Sequence, residues 1–226
     1  MKEKPTLTDK ISKIVTVTGT AILLNLAFLV CCIPVVTIGP AWCGLMNGLR
    51  YNIRGDGWFQ GFVTGFKRRF WRSTVAWLIA LPAVLVLLND IMNCLKQNAT
   101  TPLVGACVML AITAVLLHSA LVLNVYIPTS VSNWIRNTVN LAIKSFLLLL
   151  IGAALVWAPV LVFLFYSSAL IWELAMVFLF AYFALAGLVT TVALKDSLVR
   201  VLIDCRADGI LTAEEGLMPM EEDDDE

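Results

Sequence analysis

Charge is what this sequence is shortest of. Only 14% of its 226 residues are Asp, Glu, Lys or Arg, while 60% are apolar and mean hydropathy is +0.87. That balance excludes an ordinary globular domain and leaves no basic, polar surface on which to expect nucleic acid. Histidine occurs once, and the six cysteines have no metal or redox spacing. Cys31 and Cys32 are adjacent, while Cys43, Cys94, Cys107 and Cys205 are scattered, so they read as small core residues. No nucleophile–base motif, phosphate loop or metal-ligand cluster is present. The chain is therefore expected not to be an enzyme, with no catalytic residue, cofactor or metal assigned. No internal repeat is visible either, which removes the sequence symmetry of an inverted-repeat transporter. The first apolar helix begins near Ile14, is too long for a signal h-region and lacks a small-residue cleavage site. It is expected to stay as a membrane anchor.

What is present is a series of stretches near the ~20 apolar residues that cross a bilayer core. The expected fold is all-α: a polytopic helical membrane bundle, with an N-terminal helix–break–helix hairpin and four further spans. The break is Ile33-Pro34-Val35-Val36-Thr37-Ile38-Gly39-Pro40. Proline cannot donate to the helix ladder, and the residue before it avoids helical angles. Pro34 therefore ends a helix over 14–33, with Thr37 and Gly39 in the turn, and Pro40 sits where a new first turn needs no N–H partner. The second arm, 41–53, is short and only moderately apolar, either a short span or a re-entrant half-helix. Gly44 and Gly48 give it a smooth face for close packing. The remaining spans are expected at 74–95, 103–126, 141–166 and 169–194, making six membrane segments.

Between the hairpin and the spans, residues 54–72 read as an interfacial amphipathic helix. Trp58, Phe62, Phe66 and Phe70 fall four apart, and Phe59 and Val63 join them on one arc. Lys67, Arg68 and Arg72 flank that arc, which describes a helix lying on the inner leaflet with its aromatic face in the acyl boundary. Residues 1–13 form a basic cytoplasmic leader, 73–204 the four-span bundle with a cytoplasmic helical extension, and 205–226 an acidic disordered tail. Eleven of the sixteen acids lie at or after Asp196.

Basic residues orient the chain. With the hairpin turning on the outer side, fifteen of the sixteen Lys and Arg fall on one side and Lys96 alone on the other. Without the hairpin's return the split is eleven against five. Positive residues in short loops favour the cytoplasm, so both termini of this multi-pass cell-membrane protein are expected there.

Polar residues inside a membrane are candidates for function. At ~1.5 Å per residue, Asn25, Asn47 and His118 all come near mid-depth and are expected to lie close together. They form either a hydrogen-bonded structural knot or a mid-membrane polar site. Asp90 and Glu173 fall near the outer ends of their spans, as an acidic vestibule or as plain interfacial carboxylates.

Several of these residues carry a family likeness. The run Leu24-Asn25-Leu26 leading into CCIPVVTIGPA (31–41), the turn Ile53-Arg54-Gly55-Asp56-Gly57, and FVTGFKRRF (62–70) resemble the YesL-like family of bacterial membrane proteins. Tyr126-Ile127-Pro128 and residues 137–144 are similar to its later cytoplasmic connection, while the acidic end departs from it. Members are typically from Gram-positive bacteria, uncharacterised, and often encoded near carbohydrate-uptake systems. The resemblance implies a non-catalytic protein that is accessory or regulatory to such a system, with the lipid bilayer and a sugar-transporter permease as partners. The alternative is a small-solute transporter or channel built on the mid-membrane polar residues. Substrate and oligomeric state are not legible.

Overall fold

A computed structural model describes residues 7–127, 130–165, 182–194, 197–201 and 203, with no strand among them. Helix α1 (Leu7–Cys31) starts seven residues before the expected anchor, so residues 7–13 of the leader belong to it. Pro34 ends that run as expected, and a 3-10 turn, Val35–Thr37, carries the chain round. The Thr37 hydroxyl lies 2.5 Å from Cys31 O, a carbonyl that the broken ladder leaves open, and 2.7 Å from Pro34 O, which also accepts the Thr37 backbone N–H at 3.0 Å. Helix α2 (Ile38–Arg54) takes Gly39 and Pro40 into its first turn, where the missing proline N–H costs nothing. Gly55 closes it at φ +84°, a left-handed position that glycine reaches without strain.

Helix α2 is the centre of the molecule, although it is the arm that the sequence marks as least apolar. Every residue from Gly39 to Leu49 is buried. Around it pack α1, α3 (Trp58–Lys67), α4 (Phe70–Lys96), α5 (Thr100–Tyr126) and, later in the chain, α8 (Tyr182–Ala193). Small residues make this possible. A Cβ on Gly39 would stand 2.5 Å from Ser73 O, so the backbones of α2 and α4 touch there.

Helices α4 and α5 are each long and apolar enough to cross a membrane. A third crossing exists if α6 (Val131–Lys144) and α7 (Phe146–Phe165) count as one broken span, since they meet at Ser145 with a 97° bend. This corrects the continuous span expected from residue 141. The indole of Trp134 donates to Ala120 O at 3.1 Å and Ser119 Oγ to Thr138 O at 3.3 Å, so α6 is held across α5. Only at Phe146 does an uninterrupted apolar run begin. The last expected span, the cytoplasmic extension and the acidic tail fall largely outside the described residues, as do residues 1–6.

The hairpin does not reach the far end of α4. Gly39 lies against Ser73 and Trp77, and the Trp77 indole donates to Val35 O at 2.8 Å, so the break is level with the first two turns of α4. From Trp77 to Lys96 the helix continues for 19 residues, roughly 29 Å. The apolar stretch of α1, Gly19–Cys31, is about 20 Å long, short of a hydrocarbon core of ~30 Å. The hairpin thus turns beside the end from which α4 starts. Past the break, α4 and α5 go on as a pair with exposed apolar side chains, among them Leu85, Val86, Val108 and Met109.

A second correction concerns the aromatic helix. It stops at Lys67; Arg69 has φ 56°, and Phe70 already belongs to α4. Helix α3 runs antiparallel along α2, and Phe62 is 4% exposed against Gly44. Gly61 and Gly65 close the same interface against Tyr51 and Asn47. Phe62 and Phe66 stack at 6.3 Å, with Phe66 half-buried, while Phe59 is exposed. The central part of the expected acyl-facing stripe is thus covered by α2, because four glycines let the two helices approach more closely than lipid chains could pack.

Candidate functional site

Asn25, Asn47 and His118 are all buried, but their hydrogen bonds lead to different elements. Asn25 Oδ1 accepts the backbone N–H of Ala184 in α8 at 3.1 Å. Asn47 Nδ2 donates to Gly61 O in α3 at 2.7 Å. Among the described residues His118 Nε2 has no hydrogen-bond partner; a Cβ on Gly152 would stand 3.0 Å from it and 3.0 Å from Thr190 Oγ1. Asn25 and His118 thus both face α8, at positions six residues or about 9 Å apart along it. The single polar knot expected from equal depth is corrected. The three side chains meet separate neighbours, α8 for Asn25, α3 for Asn47 and the Gly152–Thr190 contact for His118. Asp90 lies on an exposed face of α4, and Glu173 is outside the described residues.

The structure instead gathers a polar cluster that sequence reasoning missed. Asn124 Nδ2 donates to Ser73 Oγ at 2.7 Å, Ser73 Oγ is 3.2 Å from Cys43 Sγ, and the Cys43 thiol points at Leu121 O at 3.6 Å. This joins α2, α4 and α5 near the ends where α4 begins and α5 finishes. Arg69 adds a bond from Nη1 to Ile127 O at 2.7 Å, and the Arg50 guanidinium sits 5.4 Å over the Tyr126 ring. A signal was available: Ser73 is three residues inside α4 and Asn124 two inside α5, so depth alone would have paired them.

Above that cluster lies a cavity of about 270 Å³, with walls from α1, α2, α4, α5, α7 and α8. Its sides are aromatic. Phe28 meets Phe183 at 5.2 Å and Trp42 at 6.0 Å, Trp42 meets His118 at 5.9 Å, and Trp77 stacks on Trp157 at 6.0 Å. Trp42, His118 and Leu121 are buried, whereas Leu29, Cys32, Ile38, Ala114 and Val156 are partly exposed. The buried residues form the floor and the partly exposed ones the rim. Two floor residues carry unsatisfied polar atoms, Trp42 Nε1 and His118 Nε2. Each such atom costs roughly 1–3 kcal/mol where nothing meets it. Trp77 differs, its indole being occupied by Val35 O. No sequence signal marks these tryptophans, which share no spacing.

Chemically the cavity offers apolar and aromatic contact area, and the two unsatisfied nitrogens are buried rather than open to it. Among the described residues no group of three or more His, Cys, Asp or Glu could hold a metal ion. Residues 21–91 match a family described as "Protein of unknown function, DUF624", a segment that runs from within α1 to within α4. No curated protein and no solved structure matches the chain.

Proposed function

We propose that this chain is a non-catalytic, multi-pass protein of the cell membrane, accessory or regulatory to a carbohydrate-uptake system and partnered by its permease. The observation that carries the reading is how the buried polar residues are used. A solute path needs polar groups that can exchange partners along a passage. Here Asn25 and Asn47 are bonded to backbone groups of neighbouring helices, and the cavity beside His118 is apolar. The link to carbohydrate uptake and to Gram-positive bacteria rests on the YesL-like resemblance alone. In this reading α1 and α2 form a re-entrant hairpin entering from the cytoplasmic side, which keeps the fifteen-to-one distribution of basic residues and both termini inside.

The test is affinity purification of the tagged full chain in mild detergent from cells growing on an imported sugar. A permease should co-purify, and proteoliposomes holding the chain alone should accumulate no sugar. Uptake by the chain alone, lost in His118→Leu, would overturn the accessory role in favour of the transporter.

A further inference from the structure

We infer that α6 lies in the headgroup plane of the cytoplasmic leaflet, an in-plane lipid-binding helix separate from the span that α7 begins. Two parallel stripes on its outer side place it there. Val131, Ile135, Val139 and Ile143 are between 44% and 73% exposed. Each is followed by an exposed polar residue, Ser132, Arg136, Asn140 and Lys144 in turn. Residues four apart share a helix face and adjacent residues are about 100° apart, so an apolar stripe and a polar stripe run side by side. The remaining face is already occupied: Asn137, Thr138, Leu141 and Ala142 are buried, and the Trp134 indole is bonded to Ala120 O. In water, four exposed β-branched side chains in line would form an uncovered apolar patch. In hydrocarbon, Arg136, Asn140 and Lys144 would lose their hydration. Only a boundary between the two media suits both stripes.

Depth and continuity identify that boundary as the bilayer surface. Helix α5 has 27 residues, roughly 40 Å, which matches a bilayer with its headgroups at ~40–45 Å. Ala120, where Trp134 is held, stands six residues before the end of α5 at Tyr126, about 9 Å in. With a hydrocarbon core of ~30 Å, that level is within a few ångströms of the acyl boundary, where in-plane helices sit. The apolar stripe also continues past the 97° bend, because Phe146, Leu147 and Ile151 are exposed on α7. The hydrocarbon that meets α7 therefore meets the stripe of α6 as well. Arg136 and Lys144 are the only charged residues of α6, and both carry the sign that the anionic cytoplasmic leaflet attracts. The place that the sequence offers to α3 thus falls to α6, whose apolar stripe stays exposed. This inference rests on the membrane placement in the proposed function but not on the accessory role.

The test uses the full chain, cysteine-free but for one spin-labelled position, in vesicles of phosphatidylcholine and phosphatidylglycerol. Collisions with oxygen, which concentrates in hydrocarbon, are compared with collisions with a water-soluble nickel chelate. Labels at Ile135→Cys and Val139→Cys should favour oxygen, and labels at Ser132→Cys and Asn140→Cys should favour nickel. All four positions are exposed, so a label there disturbs no packing. Leu85→Cys, on an exposed apolar face of α4, is the membrane reference and should favour oxygen most strongly. Nickel dominance at Leu85 would overturn the membrane placement itself. With oxygen dominant at Leu85, three results would overturn the inference alone. Nickel dominance at all four α6 positions would put the helix in water, and oxygen dominance at all four would make it part of a span. Few collisions of either kind at Ile135 and Val139 would mean that a protein covers the stripe. In intact cells, Asn140→Cys should resist a membrane-impermeant maleimide that labels it in inverted vesicles; labelling from outside would overturn the cytoplasmic placement.

Discussion

Replacing Gly65 with alanine adds one methyl group at the tightest point between α2 and α3. That Cβ would lie 2.6 Å from Asn47 Cβ, 2.7 Å from Cys43 O and 3.2 Å from Gly44 Cα. Carbon atoms prefer about 3.5–4.0 Å, so the helices must part by roughly 1 Å. No rotamer relieves the contact, because two of the three atoms are backbone and the third is a Cβ. Overpacking of this kind costs about 1–3 kcal/mol. Separation also stretches the bond from Asn47 to Gly61 O, worth on the order of 0.6 kcal/mol inside a bilayer. Against this stands the gain of about 0.5–1 kcal/mol that alanine brings to any helix interior. Gly105 in α5 has nothing within 4 Å of its Cβ position, so Gly105→Ala carries the helix gain alone. The gain cancels between the two variants, which should then differ by about 1.6–3.6 kcal/mol with Gly65→Ala the less stable. Unfolding in mixed micelles by titrated dodecyl sulfate, followed by circular dichroism, measures that difference. Coincident unfolding curves for the two variants would refute the glycine-mediated α2–α3 contact.

Two further outcomes follow from the fold. On a cysteine-free background, Val36→Cys in intact cells should resist a membrane-impermeant maleimide that labels Gln97→Cys, because the break lies some 29 Å short of the far end of α4; external labelling at Val36 would restore a fully crossing hairpin. Asn25→Leu should destabilise by about 1–3 kcal/mol in the micelle assay, because the Ala184 N–H loses its acceptor at a site that is 0% exposed; a neutral result would show that this N–H finds another partner.

Much of the plan can be read from residue order. The proline and glycine positions dictate the break at Pro34–Pro40, since a missing N–H and the angles allowed before proline are properties of the chain itself. The lengths of the apolar runs gave α4 and α5 to within about four residues at each end. A fixed rise per residue predicts one depth for Asn25, Asn47 and His118, but it says nothing about where a side chain points around its helix, and the three meet different neighbours.

The aromatic stripe of α3 shows where such reasoning stops. Its four-residue repeat identifies one apolar face, but within a bilayer an apolar face is equally at home against lipid or protein. Only the neighbouring helix decides, and here Gly44 and Gly48 admit Phe62 where acyl chains were expected. The moderately apolar α2 became the core for the same reason: in a membrane, small residues and close backbone approach mark the centre better than hydrophobicity does. The break, the helix lengths and the bias of basic residues were thus determined by the sequence alone, because each depends on local backbone chemistry or on sums along the chain. The partners of each face, the stagger of the hairpin against α4 and the aromatic cavity depend on how separate helices are rotated and shifted against one another, and the tertiary structure alone decided them.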